Sequence, residues 1–238
     1  MFLSISQNYP ILIAFLLGLL PALIWLWFWL KEDLHPEPAK MLALSFFSGI
    51  ISVYIVLKIQ IFALNHLDLN VYTSFAVFAF IEELLKFIVI YFVALRNKET
   101  DEPIDNIIYL IVGALGLATS ENIIFSYKSL IETDLITTVI SGNLRFIGAS
   151  LTHVMCSAMI GITLGLSFYK SKKNKILYGI SGLIIATVLH TSFNLFIISR
   201  APGNIFVVFG AVWFGIVVLL LLFERIKHIK REEINIKL

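Results

Sequence analysis

Seven stretches of this chain are each long and apolar enough to cross a bilayer, which excludes nearly every soluble fold. They cover residues 10–30, 40–64, 71–95, 105–127, 145–169, 175–198 and 204–224. Backbone in hydrocarbon must satisfy its own polar groups, which leaves helices or a closed barrel. Apolar runs of about 20 residues are helices, because barrel strands alternate over about ten. The class expected is therefore all-α, a polytopic transmembrane bundle of about seven spans forming one domain over 1–238. The polar connections are too short for a separate soluble domain. Composition agrees: of 238 residues, 59% are hydrophobic and 14% are charged. The first run is too long for a signal-peptide core and lacks a small-residue cleavage site, so it reads as a retained span.

The basic residues set an orientation. Connections after spans one, three, five and seven hold Lys31, Lys40, Arg96, Lys98, Lys170, Lys172, Lys173, Lys175, Arg225, Lys227, Lys230, Arg231 and Lys237. The opposite side holds only Lys128, Arg145 and Arg200. By the positive-inside rule the N-terminus is outside and the C-terminus cytoplasmic. The expected place is a cell membrane, the cytoplasmic membrane of a bacterium. Its lipid bilayer is a partner, and no nucleic acid is. Lys58, near the outer end of span two, is expected to snorkel. The first inner connection carries His35-Pro36-Glu37-Pro38, in which two prolines fix an extended turn that reads as a solvated loop. The stretch from Glu224 to Leu238 reads as an inner-surface anchor.

Span three breaks the apolar pattern with Glu82, Glu83 and Lys86. Charges at that depth are costly, by about 2.5–3.5 kcal/mol each on insertion scales, and persist where they have partners. Lys86 lies three residues after Glu83 and four after Glu82, so it can neutralise either. One carboxylate is then surplus, and a surplus buried carboxylate is a candidate acid or base.

Other spans bring polar residues to a similar level. Span four carries Thr119-Ser120-Glu121-Asn122, span five carries Arg145 and His153, and span six carries His190 and Asn194, four apart on one face. Each alone has a structural reading: a hydrogen-bonded core histidine, Glu121 paired with Arg145, Asn194 bonded between helices. Counted from the outer end at 1.5 Å per residue, Glu121 lies roughly 9 Å down, His153 and His190 roughly 12 Å, Glu82 and Glu83 roughly 17 Å. Convergence of four helices at one level points to a polar cavity opening outward.

Two chemistries fit. A glutamate of the Glu82–Glu83 pair can act as general base on water, a histidine orienting it, with His190 and Asn194 stabilising the oxyanion. Alternatively the carboxylates and imidazoles hold a metal such as zinc. No H-E-x-x-H motif is present, so the expectation is no cofactor, with zinc as the alternative. No G-x-S-x-G nucleophile is present either. Cys156 is the sole cysteine, which rules out an internal disulfide and reads as a small core residue.

These residues resemble a known family. Glu82-Glu83-Leu84-Leu85-Lys86 matches the E-E-x-x-K motif of the PrsW family of intramembrane proteases. Leu117 through Asn122 resembles its F-x-x-x-E-N motif, with leucine in place of phenylalanine. Arg145 with Thr152-His153 resembles its third, histidine-bearing helix. His190 through Asn194 resembles its H-x-x-x-D/N motif, and His35-Pro36-Glu37-Pro38 its E-P-containing loop. The resemblance covers about Glu32 to Asn194. It implies a wider superfamily with the CAAX prenyl endopeptidases, a metal-independent glutamate–histidine base, and an oxyanion hole of His190 and Asn194. The CAAX enzymes carry a histidine where this chain has Glu121, so His153 would serve as the partner. Lys86, Glu121, Asn122 and Arg145 are supporting residues. The resemblance further implies cleavage of a single-span membrane protein such as an anti-sigma factor, on its outer side. The alternatives are a CAAX-type or bacteriocin-processing peptidase, or a transporter or receptor using Glu82–Lys86 and Glu121–Arg145 as a gate. Gly113, Gly116, Gly161 and Gly165 suit close helix packing better than the interrupted helices of a transporter.

Overall fold

The computed structural model describes residues 2–199 and 205–229. Among these there is no strand. Eight α-helices follow in order: α1 (Phe2–Leu30), α2 (Ala39–His66), α3 (Val71–Ile90), α4 (Asp105–Glu132), α5 (Leu135–Ile147), α6 (Ala149–Leu166), α7 (Lys172–Ser199) and α8 (Ile205–Lys227). A π-helical turn, Tyr91–Leu95, extends α3, marked by the bond from the Arg96 N–H to the Tyr91 carbonyl at 3.2 Å. Six helices are long and apolar enough to cross a membrane. The helix α3 falls outside those six because Glu82, Glu83 and Lys86 lie within its 20 residues.

The centre of the bundle is α4, which packs against α1, α2 and α6 and is buried along most of its length. Apolar burial does little to drive helices together in lipid, so close backbone approach decides which helices touch. A methyl group on Gly49 of α2 would collide with the Gly113 carbonyl of α4, and one on Gly116 with the carbonyl of Phe46. A Cβ on Gly161 of α6 would lie 2.6 Å from the Ile107 Cα of α4. The expected packing role of these glycines is thus met. Indole and phenyl rings close the other side, where Trp29 of α1 lies 6.0 Å from Phe223 of α8.

Three readings need correction. The fifth expected span, 145–169, is not one helix. The chain bends at Gly148, and α6 begins at Ala149. Glycine carries a helix-propensity cost, and it sits where the chain changes direction. His153 is therefore only one turn into α6, nearer the helix start than a count from residue 145 gives. Second, the connection before it is not a polar loop. It contains α5, capped by Asp134, whose carboxylate accepts the Thr137 N–H at 3.0 Å. At 13 residues α5 is too short to span, and it leaves Leu135, Ile136 and Ile140 exposed, as a helix lying in the membrane surface would.

Third, the His35-Pro36-Glu37-Pro38 loop is not simply solvated. His35 stays exposed and pairs with Glu102 at 2.9 Å. Glu37 accepts a hydrogen bond from the buried Tyr109 hydroxyl of α4 and is bonded to Asp105. Asp33 is 7% exposed and accepts the His35 N–H at 3.1 Å, while its Oδ2 has no partner among the described residues. Burial holds the Asp33 and Glu37 carboxyls above their ordinary range. The side chain of Arg145 and residues 230–238 lie outside the described part, so the Glu121–Arg145 pair and the end of the basic tail stand as expectations.

Candidate active site

The paired glutamates of α3 have different surroundings, although they are neighbours in sequence. Successive helical residues point about 100° apart, so they meet different helices. Glu83 is fully buried. Its Oε1 accepts from the Lys86 ammonium at 2.6 Å and from His190 Nδ1 of α7 at 2.8 Å. Its Oε2 lies 3.5 Å from the Ser157 hydroxyl of α6. Lys86 thus neutralises Glu83, one of the two options open in the sequence, and the pair is dry at both ends. Such a pair holds because each partner leaves the other uncompensated when removed.

Glu82 faces α2. Its Oε1 accepts from the Gln60 amide at 2.8 Å. Its Oε2 lies 3.6 Å from His190 Nε2, too long for a hydrogen bond, and has no bonded partner among the described residues. Gln60 escaped notice in the sequence. The signal was an amide side chain inside an apolar run, two residues after Lys58.

His153 enters from α6. Its Nε2 lies 2.9 Å from Glu121 Oε2 of α4, and its Nδ1 lies 3.5 Å from Lys86 Nζ. Ionised carboxylates only accept, so the proton sits on His153 Nε2 and on His190 Nδ1. Each imidazole thereby presents its other nitrogen to the interior of the cluster. The two rings stand edge to face, with centroids 5.1 Å apart. Side-chain exposure rises from 0% at Glu83 to 5% at both histidines, 12% at Glu82 and 23% at Glu121, so the cluster reaches the protein surface on the side of Glu121.

The structure therefore gathers Glu82, Glu83, Lys86, Glu121, His153 and His190 from α3, α4, α6 and α7, and adds Gln60 from α2. Asn194 lies one turn beyond His190, half-buried, with no hydrogen-bond partner among the described residues. Asn122 donates to Ser150 at 2.9 Å, tying α4 to α6 beside the cluster. Cys156 is fully buried, as expected of a core residue, yet it lies against the Glu83–His190 pair.

The donor set also suits a divalent metal. Glu82, His153 and His190 each offer one ligand atom, all within 4.8 Å of one another, and Glu83, Cys156 and His190 form a second such trio. One carboxylate and two imidazoles are a familiar catalytic zinc set. Both histidines already give their outer N–H to a carboxylate, which is how metal-binding imidazoles are oriented.

Comparison with known proteins identifies the family. Residues 37–223, which contain the whole cluster, match the family described as PrsW family intramembrane metalloprotease. Protease PrsW of Bacillus subtilis is 28% identical over 84% of this chain and 90% of its own length. Protease PrsW of Clostridioides difficile is 30% identical, covering 76% of this chain and 77% of that protein. Protease PrsW of Geobacillus kaustophilus is 25% identical over 73% and 74%. No solved structure gives a significant match.

Proposed function

The chain belongs to the PrsW family of membrane proteases, and from that premise we propose an endopeptidase that cuts single-span membrane proteins by water activated at Glu82. The observation that carries this reading is the unequal use of the two glutamates. Both oxygens of Glu83 face donors, whereas Glu82 keeps Oε2 free at the rim of the cluster. A water there gives a proton to Glu82 while its oxygen attacks the scissile carbonyl carbon. The proton then passes from Glu82 to the leaving amine, and the second water proton stays with the new carboxyl group. The Asn194 amide is placed to donate to the oxyanion, and His190, one turn away on α7, joins it when doubly protonated, with Nδ1–H on Glu83 and Nε2–H turned inward. Gln60 orients Glu82, and Glu121 holds His153 in the tautomer that leaves Nδ1 facing inward. The Lys86 ammonium supplies positive charge inside the cluster, which supports a metal-independent route.

A second reading rests on the ligand geometry. Glu82, His153 and His190 would hold a divalent metal, which when bound would acidify water and polarise the carbonyl. Measurement of metal content and of activity after exhaustive chelation separates the two.

In this reading α3 is a seventh crossing, the N-terminus lies outside, and the protein sits in the cytoplasmic membrane of a bacterium. The rise in exposure toward Glu121, on the side assigned to the exterior, supports a substrate cut near its outer end, as an anti-sigma factor would be. The test compares new protein N-termini in membranes of cells expressing the wild type or Glu82→Gln at equal levels. Termini found only with the wild type, just outside the span of single-span proteins, are the expected result. Termini near cytoplasmic tails would favour a CAAX-type peptidase, and no difference under envelope stress would overturn the proposal.

A further inference from the structure

A groove of about 540 Å³ lies between the last turns of α3 and the first turns of α7, separate from the catalytic cluster. Its walls are apolar: Leu84, Phe87, Ile88 and Tyr91 from α3 face Ile176, Ile180 and Leu183 from α7. Its rim is basic. Lys172 and Lys175 line it, and among the described residues no acidic side chain does. Lys175 is held over the Phe168 ring at 5.1 Å, and the Arg96 guanidinium lies 6.0 Å from the centroid of Tyr91, a wall residue. Both lysines stand in the first turn of α7, a 28-residue helix whose positive dipole end adds to their field.

We propose that this groove is a binding site for an anionic phospholipid. The phosphate headgroup meets Lys172 and Lys175, and an acyl chain lies along the apolar wall. Basic pockets between membrane helices on the cytoplasmic side bind such headgroups, and the cytoplasmic leaflet carries the anionic lipids. The lysine-rich connection before α7 is the one the basic-residue count assigns to that side. Size argues against a second occupant, the spanning helix of a substrate. A helix is about 10–12 Å across with its side chains and rises 5.4 Å per turn, so the groove holds roughly one turn of it. Phe87 follows Lys86 in α3, and the α7 wall leads toward His190. The lipid would therefore lie against the two helices that carry the cluster. The site itself does not depend on the proposed chemistry.

The test uses the full chain with Tyr91→Trp as a fluorescent reporter in the groove, reconstituted in phosphatidylcholine vesicles, with the wild-type signal subtracted. A minor fraction of the lipid carries brominated acyl chains, on either phosphatidylglycerol or phosphatidylcholine. The expected result is quenching by brominated phosphatidylglycerol at concentrations about tenfold or more below those needed for brominated phosphatidylcholine. Lys172→Gln with Lys175→Gln should abolish that preference, and the double change to Arg should keep it. Equal quenching by the two lipids overturns the proposal, as does a preference that survives the Gln pair. Displacement of both lipids by an added single-span substrate peptide would assign the groove to protein and overturn it equally. Cleavage is not read, so failure here is distinct from failure of the protease mechanism.

Discussion

Two clusters of buried or half-buried acids meet α4, one at its first residue Asp105 and one at Glu121, roughly 24 Å further along the helix at 1.5 Å per residue, and they are stabilised differently. The cluster around Glu82 and Glu83 contains an ammonium and two imidazoles that can carry or move protons. The second cluster, Asp33, Glu37 and Asp105, is met by a phenol and by backbone N–H groups. Asp105 Oδ2 accepts from the amides of Asp101 and Glu102 at 2.9 and 2.7 Å, and Glu37 accepts from Tyr109. Neutral donors fix a carboxyl group without making it a proton carrier. The first cluster combines unequally bonded acids with imidazoles, as the proposed site needs, and the second ties the loop between α1 and α2 to the central helix.

The largest change expected from breaking that contrast is loss of the buried cation. Lys86→Met leaves Glu83 uncompensated and should cost about 3–5 kcal/mol of stability, read by unfolding in detergent. A normally stable variant would show that the pair is dispensable. Next, Asn194→Ala or His190→Ala should lower kcat by about 100–1,000-fold if they face the oxyanion, with the Asn194 variant keeping its fold. Gln60→Leu frees Glu82 to move and should lower kcat/KM by about 10–100-fold. Gln60→Glu adds a like charge beside Glu82 and should do no better.

In the second cluster, Glu37→Ala leaves the Tyr109 hydroxyl without its acceptor. It should cost about 1–3 kcal/mol of stability while cleavage persists. The smallest effect is a pH slope. Burial raises the folded-state pKa of Glu37, so the folded chain binds that proton more tightly than the unfolded chain. Stability then falls as pH rises from the ordinary carboxylate value through the raised one, and Glu37→Gln should flatten that decline. A slope unchanged in Glu37→Gln would assign it to the other acids of the cluster, among them Asp33, whose shift has the same sign.

The bundle was legible because long apolar runs leave few alternatives. The site was partly legible because charges inside such runs need partners, which singled out Glu82, Glu83, Lys86 and Glu121 before any contact was known. What the sequence left open was pairing. Spacing on α3 allowed Lys86 to meet either glutamate, and only the packing of α6 and α7 assigns it to Glu83. Glu121 reaches His153 between α4 and α6, a contact that its expected pairing with Arg145 did not name. Gln60 and the Tyr109–Glu37 contact were missed because a neutral amide and a phenol in apolar runs carry no charge to flag them.

The most direct measurement pairs Glu82→Gln with Glu83→Gln in the purified protein, following unfolding temperature and cleavage of a single-span reporter in the same vesicles. Glu82→Gln should unfold like the wild type and cut nothing detectable. Glu83→Gln should be destabilised, because it leaves Lys86 charged and buried without a counter-charge. Cleavage at the wild-type rate by a folded Glu82→Gln variant would contradict the assignment of Glu82 as the base.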